Sequence, residues 1–438
     1  MAGEGRRVSL GEVIDLLTGF PFKSTQFSHA PENIRLLRGD NVAQGRTRWE
    51  GVKRWPVDDR GEFQDYELRL GDVVLAMDRP WIEAGLKYAM IKNADCPSLL
   101  VQRVARLRAL PGMDQRYLGY VIGSADFTNY VLGVQTGTAV PHISGSQIKS
   151  YEFTLPPIQQ QVATAELLSA LDGKIELNRQ VNETLAAMAR AIFKCWFVDF
   201  DPVRAKIEGR KPYLSQDIWS LFPDHLGDGG SPSGWSEKPL THFFEIVGGG
   251  TPKTSEASYW GGDIPWFSVV DTPSDANTYV IDTQKTITAE GLQDSSAQLI
   301  EAGATIVSAR GTVGNLARTG RPMAFNQSCY GLRGANGYGP SFVFLTASHM
   351  VSKLQSLAHG SVFSTITRQT FEAISLFAPG SELADQFEMV SGPLFDRILT
   401  NVQESHTLSV IRNLLLPKLV SGEVRIKDAE KLIGKTGA

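Results

Sequence analysis

The segment QQQVATAELLSALDGKIELNRQVNETLAAMARAIFKCWF, residues 159–197, decides the fold. It holds no proline and one glycine, Gly173, and Pro156-Pro157 stands just before it. Proline ends a strand and can open a helix. Within the segment Leu168, Leu171, Ile175, Asn178, Asn182, Leu185, Ala189, Ile192 and Trp196 recur at alternating spacings of three and four, the seam of a coiled coil. Two seam positions are asparagine; a polar seam residue lowers stability but fixes register and partner. The spacing predicts a helix of roughly 40 residues, about 60 Å long at ~1.5 Å per residue.

The partner of that helix is in the same chain. Leu394, Ile398, Asn401, Ser405, Leu408, Ile411 and Leu415 repeat the pattern, which is expected to stop near Pro417. A shift of 223 positions lays Pro156 on Pro379, Leu171 on Leu394, Ile175 on Ile398, Asn178 on Asn401 and Thr184-Leu185 on Thr407-Leu408. Upstream it lays Gly137–Ile143 on Gly360–Ile366. If the helices pair antiparallel, each asparagine can satisfy the other's amide or a neighbour's. The helix-pairing residues are then Leu171, Ile175, Asn178, Leu185 and Ile192 with Leu394, Ile398, Asn401, Leu408 and Leu415.

The segment before each helix runs through the same order of elements. Leu10, Gly19 and Lys23 correspond to Leu240, Gly249 and Lys253. Strand-like Ile34–Leu37 corresponds to Ile264–Phe267, and the turn glycines Gly71 and Gly303 each lead into an apolar run. These early pairs need different shifts, so the globular parts have diverged by insertion while the helices kept register. The expected class is α+β: two mixed α/β domains separated by two long helices that form an antiparallel coiled coil, a pseudo-two-fold repeat. The domains are 1–157, the central helix 158–200, a linker 201–234, a second domain 235–380, and the C-terminal helix and tail 381–438. The linker reading rests on runs such as Asp201-Pro202 and Gly227–Gly234, rich in Pro, Gly, Asp and Ser.

Charge is nearly balanced, 43 basic against 47 acidic residues, which excludes a polycationic binder and leaves room for local positive sites. The three cysteines, Cys96, Cys195 and Cys329, make neither a disulfide framework nor a zinc site. No apolar run reaches the ~18 residues of a membrane span, and no secretory segment leads the sequence, so a cytoplasmic protein without membrane contact is expected. Catalytic motifs are missing. Gly434-Lys435-Thr436 resembles the end of a phosphate loop, but Ala429 stands where that loop needs another glycine. The histidines form no His-x-x-x-His pair, and no Gly-x-Ser-x-Gly elbow occurs. The chain reads as non-catalytic, without a metal or cofactor of its own.

Two domains on a helical spacer suit a device that presents two surfaces to successive turns of duplex DNA, about 34 Å apart. The loops supply suitable groups: Lys23, Arg46, Arg48, Arg79, Lys87, Tyr88 and His142 in the first domain, and Thr251, Lys253, Arg310, Thr312 and Gln327 in the second. Lys53, Arg54, Tyr259, Trp260 and Arg318 join them as surface-prone candidates, whereas Trp81 and Trp266 read as core. Arginine forks onto guanine, Gln and Asn onto adenine, and Lys, Thr and backbone amides hold phosphate. His142 is either a structural loop hydrogen bond or a phosphate contact. The first domain carries 19 basic and 18 acidic residues and the second 9 and 11, so the chain alone should bind DNA weakly and want a basic partner. A non-catalytic coiled-coil adaptor that binds other proteins is the alternative reading.

Leu155-Pro-Pro-Ile-Gln-Gln-Gln161, the run Leu167–Asn178, and Asn182 to Pro202 resemble the central conserved region of the specificity subunits of type I restriction–modification systems. Leu414–Val424 is similar to the end of their second conserved helix, and Gly303 to Gly314, with Ala309-Arg-Gly-Thr-Val-Gly314, to the strand and loop of their target recognition domains. The resemblance implies a subunit that reads an asymmetric, bipartite DNA site, one half per domain. It implies that the paired helices set the unread spacer and dock two methyltransferase subunits, which use S-adenosylmethionine on adenine N6. It implies further that restriction subunits join and use ATP and magnesium to translocate and cleave, so that all catalysis sits on partner chains. Met77-Asp78-Arg79-Pro80 lacks the Arg-Gly-Thr-Val-Gly loop of 310–314, so the two halves should read different sequences.

Overall fold

The computed structural model describes residues 5–137, 139–227, 229–273, 277–359, 365–424, 426–429 and 431. The Gly360–Ser364 part of the repeat and the Gly434-Lys435-Thr436 run lie outside the described residues.

Both seams fold as helices of 40 residues, Ile158–Phe197 and Ser381–Val420. Their bounds are offset by 223 positions at both ends, the shift of the sequence repeat. The second helix continues past Pro417, where the sequence placed its end. A proline in the last turn forfeits one hydrogen bond, and Leu415, Leu419 and Val420, all buried, hold that turn against the first domain's core.

The chain forms two compact units, residues 1–173 with 407–438 and residues 174–406. The division falls inside both long helices, so each unit contains one globular segment and a piece of each helix. In the first unit a five-stranded sheet runs in the order Ile14–Thr18, Val104–Ala109, Val73–Ala76, Tyr88–Met90, Gln44–Gly45. In the second the order is Phe244–Gly248, Cys329–Gly334, Thr305–Ser308, Leu316–Thr319, Tyr279–Val280. Each unit adds a smaller sheet in which one strand pair is parallel: Leu100 lies opposite Leu37 in the first, and Phe325 opposite Phe267 in the second. Gly71 and Gly303 turn into the central strands at φ +87° and +84°. The two globular segments are therefore one topology written twice.

Each unit solves the docking of its globular part onto the long helices differently. In the first, Asp114 caps the helix Gln115–Ile122, accepting from the amides of Arg116 and Tyr117. Gln161 of the long helix is fully buried behind that cap. Its Oε1 accepts from Asp114 N at 2.9 Å, and its Nε2 donates to the carbonyls of Gly112 at 3.0 Å and Pro156 at 2.8 Å. In the second unit the helix Pro340–His359 is capped from outside, by Glu388 of the other long helix. Its carboxylate accepts from Ser341 N at 3.1 Å and Ser341 Oγ at 2.6 Å. A carboxylate at a helix N-terminus also meets the positive end of the helix dipole.

Within the second unit the two long helices run antiparallel. Lys174 pairs with Glu404 at 3.2 Å, while Phe193 and Phe197, further along, pack on Phe387. Between them sits an asparagine ladder. Asn178 Nδ2 donates to Glu404 Oε2 at 2.7 Å and Ser405 Oγ at 3.2 Å, and Asn401 Nδ2 donates to Asn182 Oδ1 at 2.8 Å. In the first unit Arg412 reaches Asp172 at 2.6 Å. Of the expected pairing residues, Leu171, Asn178, Ile398, Asn401, Leu408 and Leu415 are buried; Ile175, Leu185, Ile192 and Leu394 are half-buried. Ala186, Phe193 and Phe395 take the inner places beside the last three, because a straight helix drifts against a strict heptad.

Residues 201–222 are not a linker. They fold into helices Asp201–Ile207 and Gln216–Leu221, and Val203, Ala205, Trp219 and Phe222 are buried. Phe222 stacks edge-on with Trp196. Burying a large apolar side chain stabilises by ~1.5–3 kcal/mol, which outweighs the loop-forming tendency of the Pro and Asp around it.

Candidate nucleic-acid interface

The same loop follows the central strand of each sheet. In the first unit, Met77 N donates to Arg103 O at 2.8 Å, and Ile143 N donates to Met77 O at 2.9 Å. In the second, Ala309 N donates to Ser328 O at 2.7 Å, and Ile366 N donates to Ala309 O at 2.9 Å. Asp78 forms a bridge with His142 as Arg310 does with Thr365. Arg79 and Gly311, the next residues, both have left-handed backbones, at φ +44° and +74°. That region is open to glycine and costs other residues ~1–2 kcal/mol, so Arg79 is held there by its surroundings. Its N–H donates to Pro141 O at 2.6 Å.

In the first unit the loop lines a cleft of about 440 Å³ together with Arg38, Lys87, Gln102 and Arg103, above the ring of the buried Phe22. Asp78 is occupied from two sides, by His142 Nδ1 at 2.6 Å and by Arg103 Nε at 3.7 Å. His142 is thus a structural hydrogen-bonding partner of the loop. Arg38 also lines an adjoining cleft of about 320 Å³ with Arg48 and Lys53. Burial, with the guanidiniums of Arg48 and Arg79, holds the Lys87 ammonium below the usual lysine range, against Asp40 and Asp78. Among the described residues no carboxylate pairs with Arg48, Arg79 or Lys87. Lys23 is exposed beside the cleft residue Ser24, and Arg46 is exposed at the turn between Val42 and Thr47. Tyr88 is not part of this surface. It is half-buried, and its hydroxyl fills the space over Gly123.

In the second unit the loop is tighter and less charged. The Ser308 hydroxyl donates to Thr312 O and accepts from Asn315 N at 2.9 Å, and Gln355 donates to Val313 O at 2.9 Å. Arg310 and Thr312 are left exposed on this braced turn. Gln327 immediately precedes Ser328, the loop's backbone partner, and accepts a hydrogen bond from the Thr251 hydroxyl. Lys253 is exposed, and its carbonyl accepts from Trp260 Nε1 at 3.2 Å. Trp260 and Lys285 line a separate cavity of about 410 Å³. Arg318 belongs to none of this: it is 3% exposed on a strand, between the rings of Tyr279 and Phe395, at 5.1 and 4.4 Å. The two tryptophans read as core part company, since Trp266 is buried and Trp81 is 37% exposed.

The model of the type I restriction modification DNA specificity domain matches this chain twice, over residues 8–187 and 232–391. The chain belongs to the type I restriction–modification specificity-subunit family. The HindI specificity subunit of Haemophilus influenzae is 28% identical over 346 residues, which are 69% of this chain and 75% of that one. The MjaIX specificity subunit of Methanocaldococcus jannaschii is 24% identical over 332 residues, 72% and 71% of the two chains. The fold is similar to the crystal structure of a type I restriction–modification S subunit from M. genitalium, with TM-score 0.55 and 15% identity over 95% of this chain and 96% of that one.

For this specificity subunit, sequence reasoning missed Arg38, Gln102 and Arg103, all in the first cleft. The backbone contacts make Arg103 the equivalent of Ser328, which sets Gln102 against Gln327, a shift of 225 where the helices use 223. Arg103 meets a serine in the other unit rather than a second cation, and only the convergence of the loops reveals Arg38 and Arg103.

Proposed function

We propose that this specificity subunit reads the two halves of an asymmetric, bipartite DNA site, one half with each globular segment, and directs partner subunits to it. The observation that carries this reading is the repeated loop: on one backbone frame, each unit presents an arginine and a glutamine, Arg79 with Gln102 and Arg310 with Gln327. Those are the side chains whose planar donors fit guanine and adenine edges. Lys23, Lys87 and Lys253, with Arg46, Arg48, Thr251 and Thr312, stand at their margins to hold phosphate. With a net charge of −4, the chain relies on these local cations and on partners for the sequence-independent part of the affinity.

Chemistry is assigned to other chains in the cytoplasm. Two methyltransferase subunits docked on the paired helices would use S-adenosylmethionine and flip the target adenine out of the duplex. Restriction subunits would add ATP- and magnesium-dependent translocation and cleavage. The helices would set the unread spacer.

The test is methylation sequencing of DNA from cells carrying this chain and its methyltransferase, against cells lacking only this chain. A bipartite methyladenine motif that depends on the chain is expected. Arg310→Ala should relax one half-site and Arg79→Ala the other, each by ~1–3 kcal/mol if a guanine is read. Equal weakening across unrelated sequences would make either a phosphate contact, and no motif at all would remove the DNA reading.

A further inference from the structure

The loop that begins at Arg79 continues into an element with no counterpart among the described residues of the second unit. Where the second unit closes Ala309–Asn315 as a braced turn, the first extends a two-stranded antiparallel ribbon, Trp81–Ile82 with Gly85–Leu86. Trp81 lies opposite Leu86 and Ile82 opposite Gly85, with Glu83 and Ala84 as the tip. The root is closed by Lys87 N donating to Pro80 O at 2.7 Å, and Gln44 Nε2 donates to Gly85 O at 3.4 Å. The ribbon is therefore anchored rather than loose.

Its chemistry changes along its length. The root emerges at Arg79 and Lys87, inside the cationic cleft. From Pro80 to Leu86 the only charged side chain is Glu83. Successive side chains on a strand point to opposite faces, yet Trp81 and Ile82 are both exposed, at 37% and 40%. A single exposed apolar residue needs no explanation; two adjacent ones at the rim of a cationic cleft do. A phosphate drawn to the root would be repelled by Glu83 at the tip. What the tip offers is apolar surface and one carboxylate acceptor. In duplex DNA the matching groups are the thymine methyl and the cytosine N4 amino group, both in the major groove, which is wide enough for a two-stranded ribbon.

We propose that ribbon 81–86 enters the major groove of the half-site read by the first unit, with Trp81 and Ile82 against thymine methyls and Glu83 accepting from a cytosine amino group, while Lys87 holds the backbone at the root. This rests on the DNA-reading function proposed above. It makes the ribbon a base-reading element for one half-site only.

The experiment is selection from a randomised duplex pool by the full chain assembled with its methyltransferase subunits, at several salt concentrations. Glu83→Ala should lose about tenfold of the preference for cytosine at one position. Trp81→Ala/Ile82→Ala should lose thymine preference at neighbouring positions, and both should leave the other half-site and the salt slope unchanged. Lys87→Ala should instead weaken all sequences alike and lower the salt slope by about one. Tip variants that select the wild-type sequence, or that weaken every sequence equally, overturn the ribbon's role while leaving the DNA reading in place. A wild-type complex that enriches no sequence overturns the DNA reading itself, and the ribbon's role with it. Should the double variant fail to fold, Glu83→Ala decides the matter alone, because its side chain is exposed at the turn.

Discussion

In the first unit the loop after strand Val73–Ala76 passes through the left-handed region at an arginine; in the second the same turn is made at Gly311. The first is followed by a two-stranded ribbon and faces a cleft rich in guanidinium groups. The second is pinned by Ser308 and Gln355 and shows a single arginine among threonine and glutamine. Strand order and the loop's backbone partners are otherwise shared. The difference shows that the scaffold tolerates independent change at its loops, because the bonds that hold the frame are backbone bonds and ask nothing of the side chains.

The largest effects should come from the two unlike docking devices. Gln161→Ala removes three hydrogen bonds from a fully buried site, and Glu388→Ala uncaps the helix beginning at Pro340. With buried groups left unpaired at ~1–3 kcal/mol each, each should lower stability by about 3 kcal/mol. Hydrogen exchange should place the loss in the first unit for Gln161 and in the second for Glu388. Loss spread equally over both units in either variant would show that the units do not open independently.

A smaller effect separates the asparagines. Asn182→Leu leaves the buried Asn401 amide without its acceptor and should cost ~1–3 kcal/mol; Asn182→Leu/Asn401→Leu should recover most of it. Asn178→Leu should be close to neutral, since Glu404 keeps Lys174 as a partner. Denaturant melts of the three variants check the order, and equal losses for Asn178→Leu and Asn182→Leu would break it.

The smallest effect is on pH. Burial and the neighbouring cations depress the Lys87 pKa in the free protein; phosphate beside it would raise that pKa. Binding would then take up a proton on the alkaline side, so affinity should fall a few-fold as pH rises through the depressed value. Lys87→Arg should flatten the profile, because arginine stays charged. A profile unchanged in that variant would place Lys87 away from phosphate.

The family's helices and the doubled domain were legible in the sequence; the second helix's run past Pro417 and the partner each asparagine takes were not. The legible features depend on periodicity or on order along the chain, and both survive divergence. The paired turn glycines were legible for the same reason, as one residue type serves one backbone conformation. What needed the tertiary structure was which loops meet. Arg318 and Arg310 are both arginines near one turn, yet one is sealed between aromatic rings and the other exposed, because adjacent strands bury what a loop leaves out. Lys87 stands just before the strand that Tyr88 opens, yet Lys87 lines the cleft while the Tyr88 hydroxyl packs over Gly123. Gln102, Arg103 and Arg38 join Arg79 only through contacts between residues distant in sequence, and the packing of 201–222 was hidden because local composition there favours a loop while buried tryptophan and phenylalanine decide otherwise. Local patterning fixes elements; the free energy of burial, summed over residues far apart in the chain, decides which side chains are left facing outward to read a ligand.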